Sequence, residues 1–205
     1  MRGKDEMLSP GNEQVLEHYK HFWGEPKQLF FSDRNNVSPP GPIIVAEFRS
    51  DDKTPIWTYA TIGVSRYPMP YPPNWRHDKS DKRIELLMYA YQPMQELVDL
   101  LGGLALYPFS QRTFLGVGHT IPGPRGGAVV EGSPLTDILL IPALTEPKEF
   151  RILHIDQDHH IELLWVVPIY NSERLFVKEH GWGKLVELFS DKEVNAKDFA
   201  RLPVV

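Results

Sequence analysis

The 205-residue sequence contains no cysteine. Disulfide bonds and zinc–thiolate sites are therefore excluded, and the composition is compatible with a reducing compartment. No apolar run approaches the roughly 20 residues that span a bilayer, and the first residues lack the apolar segment of a signal peptide. We therefore expect a cytoplasmic protein with no membrane partner.

Clustered positive charge is also missing from the sequence. Lys and Arg total 22 against 27 Asp and Glu, which gives a formal net charge of −5. Nucleic-acid binding needs cations grouped against phosphates, so we expect no nucleic-acid partner. An acidic protein is better suited to a basic protein partner.

The motifs of common active sites are incomplete. The segment GVGHTI (116–121) lacks the third glycine of a dinucleotide fingerprint, and GPRGG (123–127) lacks the lysine of a phosphate-binding loop. No serine lies in a Gly-x-Ser-x-Gly turn, and His119 has no nucleophile placed beside it. We therefore predict that the protein is not an enzyme and needs no cofactor.

The apolar pattern predicts a single domain over residues 1–205, with its core at about 10–190. A first helix is predicted from Ser9-Pro10 to Gly24, with serine as the N-cap and glycine after the last turn. His18 and His21 lie one turn apart on its polar side, and we expect both to be solvated and not to form a metal pair.

The order of the remaining elements indicates an α+β fold. Segments rich in β-branched and aromatic residues predict strands, which are followed by a helix, further strands and two closing helices. The predicted strands are 28–31, 43–49, 56–64, 83–90, 135–143, 149–156 and 160–170, and the predicted helices are 94–109, 172–180 and 183–190. This order predicts a mixed, largely antiparallel sheet flanked by helices.

The segment HIDQDHH (154–160) concentrates three histidines and two aspartates. An even-length loop between the flanking strands would set Ile152 opposite Leu163 and stack apolar side chains on one face. That register places His154 and His160 on opposite faces of the sheet, where they cannot share an ion. We therefore predict a turn and no metal site, although an irregular hairpin would keep a metal-dependent hydrolase as an alternative.

The same hairpin is acidic, because neither Lys nor Arg occurs between Arg151 and Arg174. An acidic loop on a rigid hairpin is suited to docking a cationic partner. The candidate partner-binding residues are Asp156, Asp158, His159, Glu162 and Glu173. A solvated hairpin tip is the alternative, and for Glu173, as for Glu85, the alternative is a structural ion pair, because burying a lone carboxylate costs on the order of several kcal/mol.

The last third of the chain carries the most specific pattern, HIELLWVVPIYNSERLFVKEHGWGKLVELF. A hydrophobic strand, Pro-Ile, a helix capped by Asn171 that ends in His-Gly, and a further apolar helix together resemble the suppressor-of-fused domain family. IWTYATIGVS (56–65), RIELLMYA (83–90) and GHTIPG before SPLTDILLIPA (133–143) agree in order. The resemblance spans about residues 10–190.

The resemblance implies a single α/β domain that binds protein and carries no catalytic residue. Animal members have a second domain and clamp a transcription-factor peptide between the two, for which this chain is too short. Short bacterial members look like immunity proteins or antitoxins, which neutralise a secreted toxin that is often a nuclease. We therefore expect a one-to-one complex with a cognate toxin or, as an alternative, a regulatory adaptor that binds another cellular protein.

Overall fold

A computed structural model describes residues 10–31, 41–53, 55–70, 82–157 and 159–205. Four α-helices and eight strands occur in these ranges. Along the chain they are α1 (Pro10–Trp23), β1 (Gln28–Phe31), β2 (Ile44–Arg49), β3 (Trp57–Ile62), β4 (Arg83–Ala90), α2 (Gln95–Gln111), β5 (Thr120–Pro122), β6 (Asp137–Pro142), β7 (Ile152–His154), β8 (His160–Ile169), α3 (Asn171–His180) and α4 (Trp182–Asp191).

The strands form one mixed sheet in the order β1-β2-β3-β4-β8-β6-β5, and β7 pairs with the beginning of β8. Strands β4 and β8 run parallel, and the other pairs in the described residues run antiparallel. The predicted α+β fold with a largely antiparallel sheet is therefore confirmed. The last strand, β8, joins the block β1–β4 to the block β5–β6.

Helices cover both faces of the sheet, which is why β8 is a nearly continuous apolar run. Ile161, Leu163 and Trp165 point to one face and share a buried core with residues of α1, α3 and α4. Leu164 and Val166 point to the other face, where α2 packs. Alternation along one strand thus supplies two separate cores.

Helix α2 runs without interruption through Gly102 and Gly103, although the sequence predicts a weakened or kinked helix there. Glycine costs about 1 kcal/mol relative to alanine inside a helix. Leu97, Leu101 and Leu104 are buried against the sheet, and this packing outweighs the propensity of two glycines. The short strand β5 was not predicted, because its three residues lie in a segment interpreted as a proline-glycine loop.

Helix α1 begins and ends close to its predicted limits, and Gly24 follows it with a positive φ of 76°. Ser9, the predicted N-cap, lies outside the described residues. The prediction that His18 is solvated is wrong. Its Nε2 lies 2.9 Å from the carbonyl oxygen of Phe150, and its ring stacks on the Phe150 ring at 5.3 Å between centroids. Burial lowers the pKa of His18 below its ordinary value.

Candidate functional site

Strands β7 and β8 form the hairpin that carries the histidine cluster. In the observed register Ile152 lies opposite Glu162, Leu153 opposite Ile161, and His154 opposite His160. The predicted register, with Ile152 opposite Leu163, is therefore wrong.

Apolar burial still fixes the register, but from the other face of the hairpin. Leu153, Ile155 and Ile161 pack into the core beside α1. Phe150 is buried in a 3-10 turn before β7 begins, so it does not extend the strand pairing. Ile152 is left on the outer face, where it is 44% exposed.

His154 and His160 face each other across the two strands, with their ring centroids 6.2 Å apart. The prediction that they lie on opposite faces of the sheet is therefore wrong. In the described part of the chain, no group of three or more His, Cys, Asp or Glu side chains is arranged to hold a metal ion.

Asp156 and His159 close the hairpin, as the predicted turn requires. The backbone N–H of His159 donates to Asp156 Oδ1 at 2.8 Å, and the His159 Nδ1 lies 2.8 Å from the same carboxylate. The backbone N–H of Ile155 donates to the carbonyl of His159 at 2.9 Å. The side chains of Asp156 and His159 are each about half exposed. Asp158, the candidate between them, lies outside the described residues.

Glu162 lies on the outer face of the hairpin beside the two histidines. Helix α2 packs on β2, β3 and β4, whereas Ile152, His154 and His160 on the hairpin are exposed. We name the resulting patch the hairpin surface, and it consists of Ile152, His154, His160 and Glu162, with Asp156 and His159 at its tip. Its described residues include carboxylates and imidazoles around one exposed isoleucine and contain no Lys or Arg.

Glu173 is not part of any surface, so its prediction as a partner-binding residue is wrong. Its side chain is fully buried, and its two carboxylate oxygens accept hydrogen bonds from the Arg201 guanidinium at 2.7 and 2.6 Å. The backbone N–H groups of Tyr170 and Val204 also donate to it. The alternative, a structural ion pair, is confirmed.

The same carboxylate caps α3. The backbone N–H of Tyr170 donates to Glu173 Oε2 at 2.9 Å, and Asn171 is already the first helical residue. The N-cap is therefore Tyr170 and not the predicted Asn171. A glutamate in the first turn also meets the positive end of the helix dipole.

Glu85 is equally buried but has no cationic partner in the described residues, so the predicted ion pair is wrong for this residue. Its oxygens accept hydrogen bonds from the hydroxyls of Thr61 and Ser65, each at 2.6 Å, and from the backbone N–H groups of Gly63 and Ser65. Burial raises the pKa of Glu85, and these hydrogen bonds oppose that shift.

Sequence reasoning missed Arg201, which lies beyond the predicted core limit. Its guanidinium is buried beside the Phe189 ring, at 4.8 Å from the ring centroid, and also donates to the carbonyl of Pro168. The available signal was the single cation in the otherwise apolar segment FARLPVV (199–205). A buried arginine of this kind needs a carboxylate, and Glu173 provides it.

No helix in the part of the chain that the structure describes is both long and apolar enough to cross a bilayer.

Three solved structures share this fold. A suppressor of fused homologue from Neisseria gonorrhoeae FA 1090 superposes with a TM-score of 0.74 at 20% identity, over 95% of this chain and 97% of that one. The Sufu–Fu complex gives 0.68 at 15% identity, over 95% and 92%. Drosophila Suppressor of Fused gives 0.65 at 14% identity, over 95% of this chain and 51% of that one.

Sequence comparison gives the family independently of the fold. No curated protein sequence matches the chain significantly. Residues 39–201, well over half of the chain, match the family model described as Suppressor of fused protein (SUFU). This match agrees with the resemblance noted in the strand and helix motifs. The chain therefore belongs to the suppressor of fused family.

Proposed function

We propose that this protein is a non-catalytic, protein-binding domain that neutralises a cognate toxin in the cytoplasm by direct one-to-one binding. Family membership carries the proposal. A binding role is supported by the Sufu–Fu complex, in which a protein of this fold is found with Fu. The toxin as partner is supported by the likeness to a bacterial homologue, since this chain spans 97% of the Neisseria protein.

Charge supports a basic partner. The chain has a formal net charge of −5, and the hairpin surface presents the Glu162 carboxylate opposite the exposed Ile152. Nucleases are basic where they hold their substrate, and complementary charge speeds the encounter of two proteins. The exposed Ile152 supplies an apolar contact at the centre of this acidic patch.

A regulatory adaptor is the second candidate function, and the Sufu–Fu complex is the observation that favours it. An adaptor would bind a cellular protein that is not toxic. Affinity capture with the purified chain separates the two candidates by the identity of the bound protein. A housekeeping or transcription protein as the reproducible partner would favour the adaptor.

Co-expression tests the toxin proposal directly. The product of the adjacent gene is induced in cells that carry either this chain or an empty vector, and survival is compared. We expect protection and a stable one-to-one complex by size-exclusion chromatography. Failure to protect against any adjacent gene product would contradict the proposal.

A charge reversal tests the hairpin surface. Glu162→Lys should slow association with a basic toxin by about tenfold or more, because it replaces attraction by repulsion at the contact. Glu179→Lys, at an exposed position on α3, makes the same change in net charge and serves as the control. Equal association rates for the two variants would mean that the interface does not include the hairpin surface.

A further inference from the structure

A cleft of about 320 Å³ opens beside the beginning of α1. Small-molecule sites begin at about 300 Å³, and a water molecule occupies about 30 Å³ of the liquid. The cleft is therefore large enough for a small ligand. The polar residues that carry the argument below are Asn12, Ser65, Arg66, Arg83, Asp156 and His159.

Two hydrogen-bond donors in the cleft lack acceptors. Asn12 is 1% exposed, and its Nδ2 has no hydrogen-bond partner in the described residues. The same holds for the buried Nε of Arg66. Leaving a buried donor unpaired costs about 1–3 kcal/mol. Neither nitrogen has accessible surface in this structure, so the acceptor oxygens of a ligand would satisfy both atoms once the two side chains turn toward the cleft.

The other buried nitrogens without a hydrogen bond, in the part of the chain that the structure describes, are in a different situation. Arg174 Nε and Arg201 Nε belong to guanidinium groups already held by carboxylates, Asp137 and Glu173 respectively. The guanidinium of Arg66 has no such carboxylate among the described residues. The cleft is thus where unpaired donors and free volume coincide.

The charges around the cleft also favour an anion. Arg83 Nη1 donates to the carbonyls of Ser65 and Arg66 at 2.7 and 2.8 Å, which holds the second arginine at the cleft. The beginning of α1 adds the positive end of a 14-residue helix. The carboxylate among the described lining residues, Asp156, already contacts the imidazole of His159 at 2.8 Å.

We propose that this cleft binds a phosphate or a small phosphomonoester, with Arg66 and the Asn12 amide as donors. A guanidinium offers several N–H groups in one plane and matches the oxygens of a phosphoryl group. The cleft volume leaves room for an organic substituent beyond the phosphoryl group itself. This site shares Asp156 and His159 with the tip of the hairpin surface and goes beyond the proposed function.

The test is a titration of the full-length, ¹⁵N-labelled protein followed by NMR at fixed pH and ionic strength. Inorganic phosphate and glycerol phosphate are added separately, and acetate is the comparison anion. We expect saturable shifts of the backbone amides of Gly11, Asn12, Ser65 and Arg66. Tighter binding of glycerol phosphate than of phosphate would show that the organic group also contacts the cleft.

Matched variants distinguish specific binding of phosphate in the cleft from non-specific attraction between the anion and positive charges on the protein. Arg66→Gln should weaken phosphate binding at least tenfold, and Asn12→Ala should weaken it several-fold, because each removes a donor to a charged acceptor. Arg125→Gln removes the same charge at an exposed position outside the cleft and should leave the affinity unchanged. Thermal unfolding of each variant checks that it is folded.

Arg66→Lys keeps the charge but loses the planar set of donors, so it should bind phosphate more weakly than the wild-type protein does. This second variant tests the role of Arg66 if Arg66→Gln fails to fold. Absence of saturable shifts would overturn the proposal. So would equal losses in Arg125→Gln and Arg66→Gln, or acetate binding as tightly as phosphate.

Discussion

Glu85 and Glu173 show two ways in which one protein accommodates a fully buried carboxylate. Glu173 pairs with the guanidinium of Arg201, which donates to both of its carboxylate oxygens. Glu85 has only hydroxyl and amide donors around it, and burial raises its pKa. The first arrangement depends on a distant residue, whereas the second is built within the neighbouring strand and turn.

Removing the charge of Glu173 should destabilise the protein severely. Glu173→Gln leaves the buried guanidinium of Arg201 without its counter-ion, and breaking a buried pair in this way costs about 3–5 kcal/mol. The measurement is the free energy of unfolding from denaturant titration, compared with Glu179→Gln at an exposed position of the same helix. A loss no larger than that of the control would mean that the pair contributes little.

His18 should make the protein less stable in mild acid. Because its pKa is lowered in the folded state, the unfolded chain takes up more protons below the ordinary value of 6.5, and stability falls as the pH drops from 6.5 through the folded pKa. His18→Gln should therefore flatten the pH dependence of the unfolding free energy in that window. His21→Gln, one turn away and exposed, removes only the smallest of the effects on the pKa of His18 and should change that dependence much less.

The succession of helices and strands could largely be predicted from the sequence. Strands β1 and β4 have the predicted limits, because their apolar runs are bounded by polar, glycine or proline residues on the chain. The register of the β7–β8 hairpin could not be predicted, because it depends on Phe150 leaving the strand for a 3-10 turn. The alternation of apolar and polar residues along the sequence does not reveal where the strand begins.

Little of the buried polar chemistry could be predicted in the same way. Glu173 and Arg201 are 28 positions apart, and no periodic pattern connects them. Asn12 and Arg66 meet at one cleft only because α1 packs beside the turn that follows β3. Long-range packing creates both arrangements, so a single sequence indicates the residue types without their partners.

Adding a methyl group at Gly181 and at Gly183, close to the junction of α3 and α4, should change the free energy of unfolding in opposite directions. Gly181 has φ 84° and ψ 156°, a region that is almost restricted to glycine. Gly181→Ala should cost about 1–3 kcal/mol through backbone strain, although its Cβ would meet no neighbour within 4 Å.

Gly183 is the matched control, since it lies inside α4 and a Cβ there also meets open space. Gly183→Ala should stabilise the protein by about 0.4–1 kcal/mol, because alanine restricts the unfolded chain and suits a helix. Both values are read from denaturant unfolding. The same sign for the two variants would contradict the conformational argument.

The molecule as a whole should keep its stability when metal ions are removed. Two apolar cores, one on each face of the sheet, hold the described fold together, and structural zinc sites use four ligands. A chelator should therefore leave the midpoint of thermal unfolding unchanged. Stoichiometric zinc in the purified protein, lost together with His154→Ala, would instead support the hydrolase alternative.

The position of β8 has a consequence for synthesis on the ribosome. Residues 160–169 pair with β4 on one side and with β6 on the other, so both earlier neighbours are made before the strand that unites them. A nascent chain that has not reached this strand carries two open strand edges, which attract chaperones or aggregate. We expect the growing polypeptide to remain incompletely folded until late in translation.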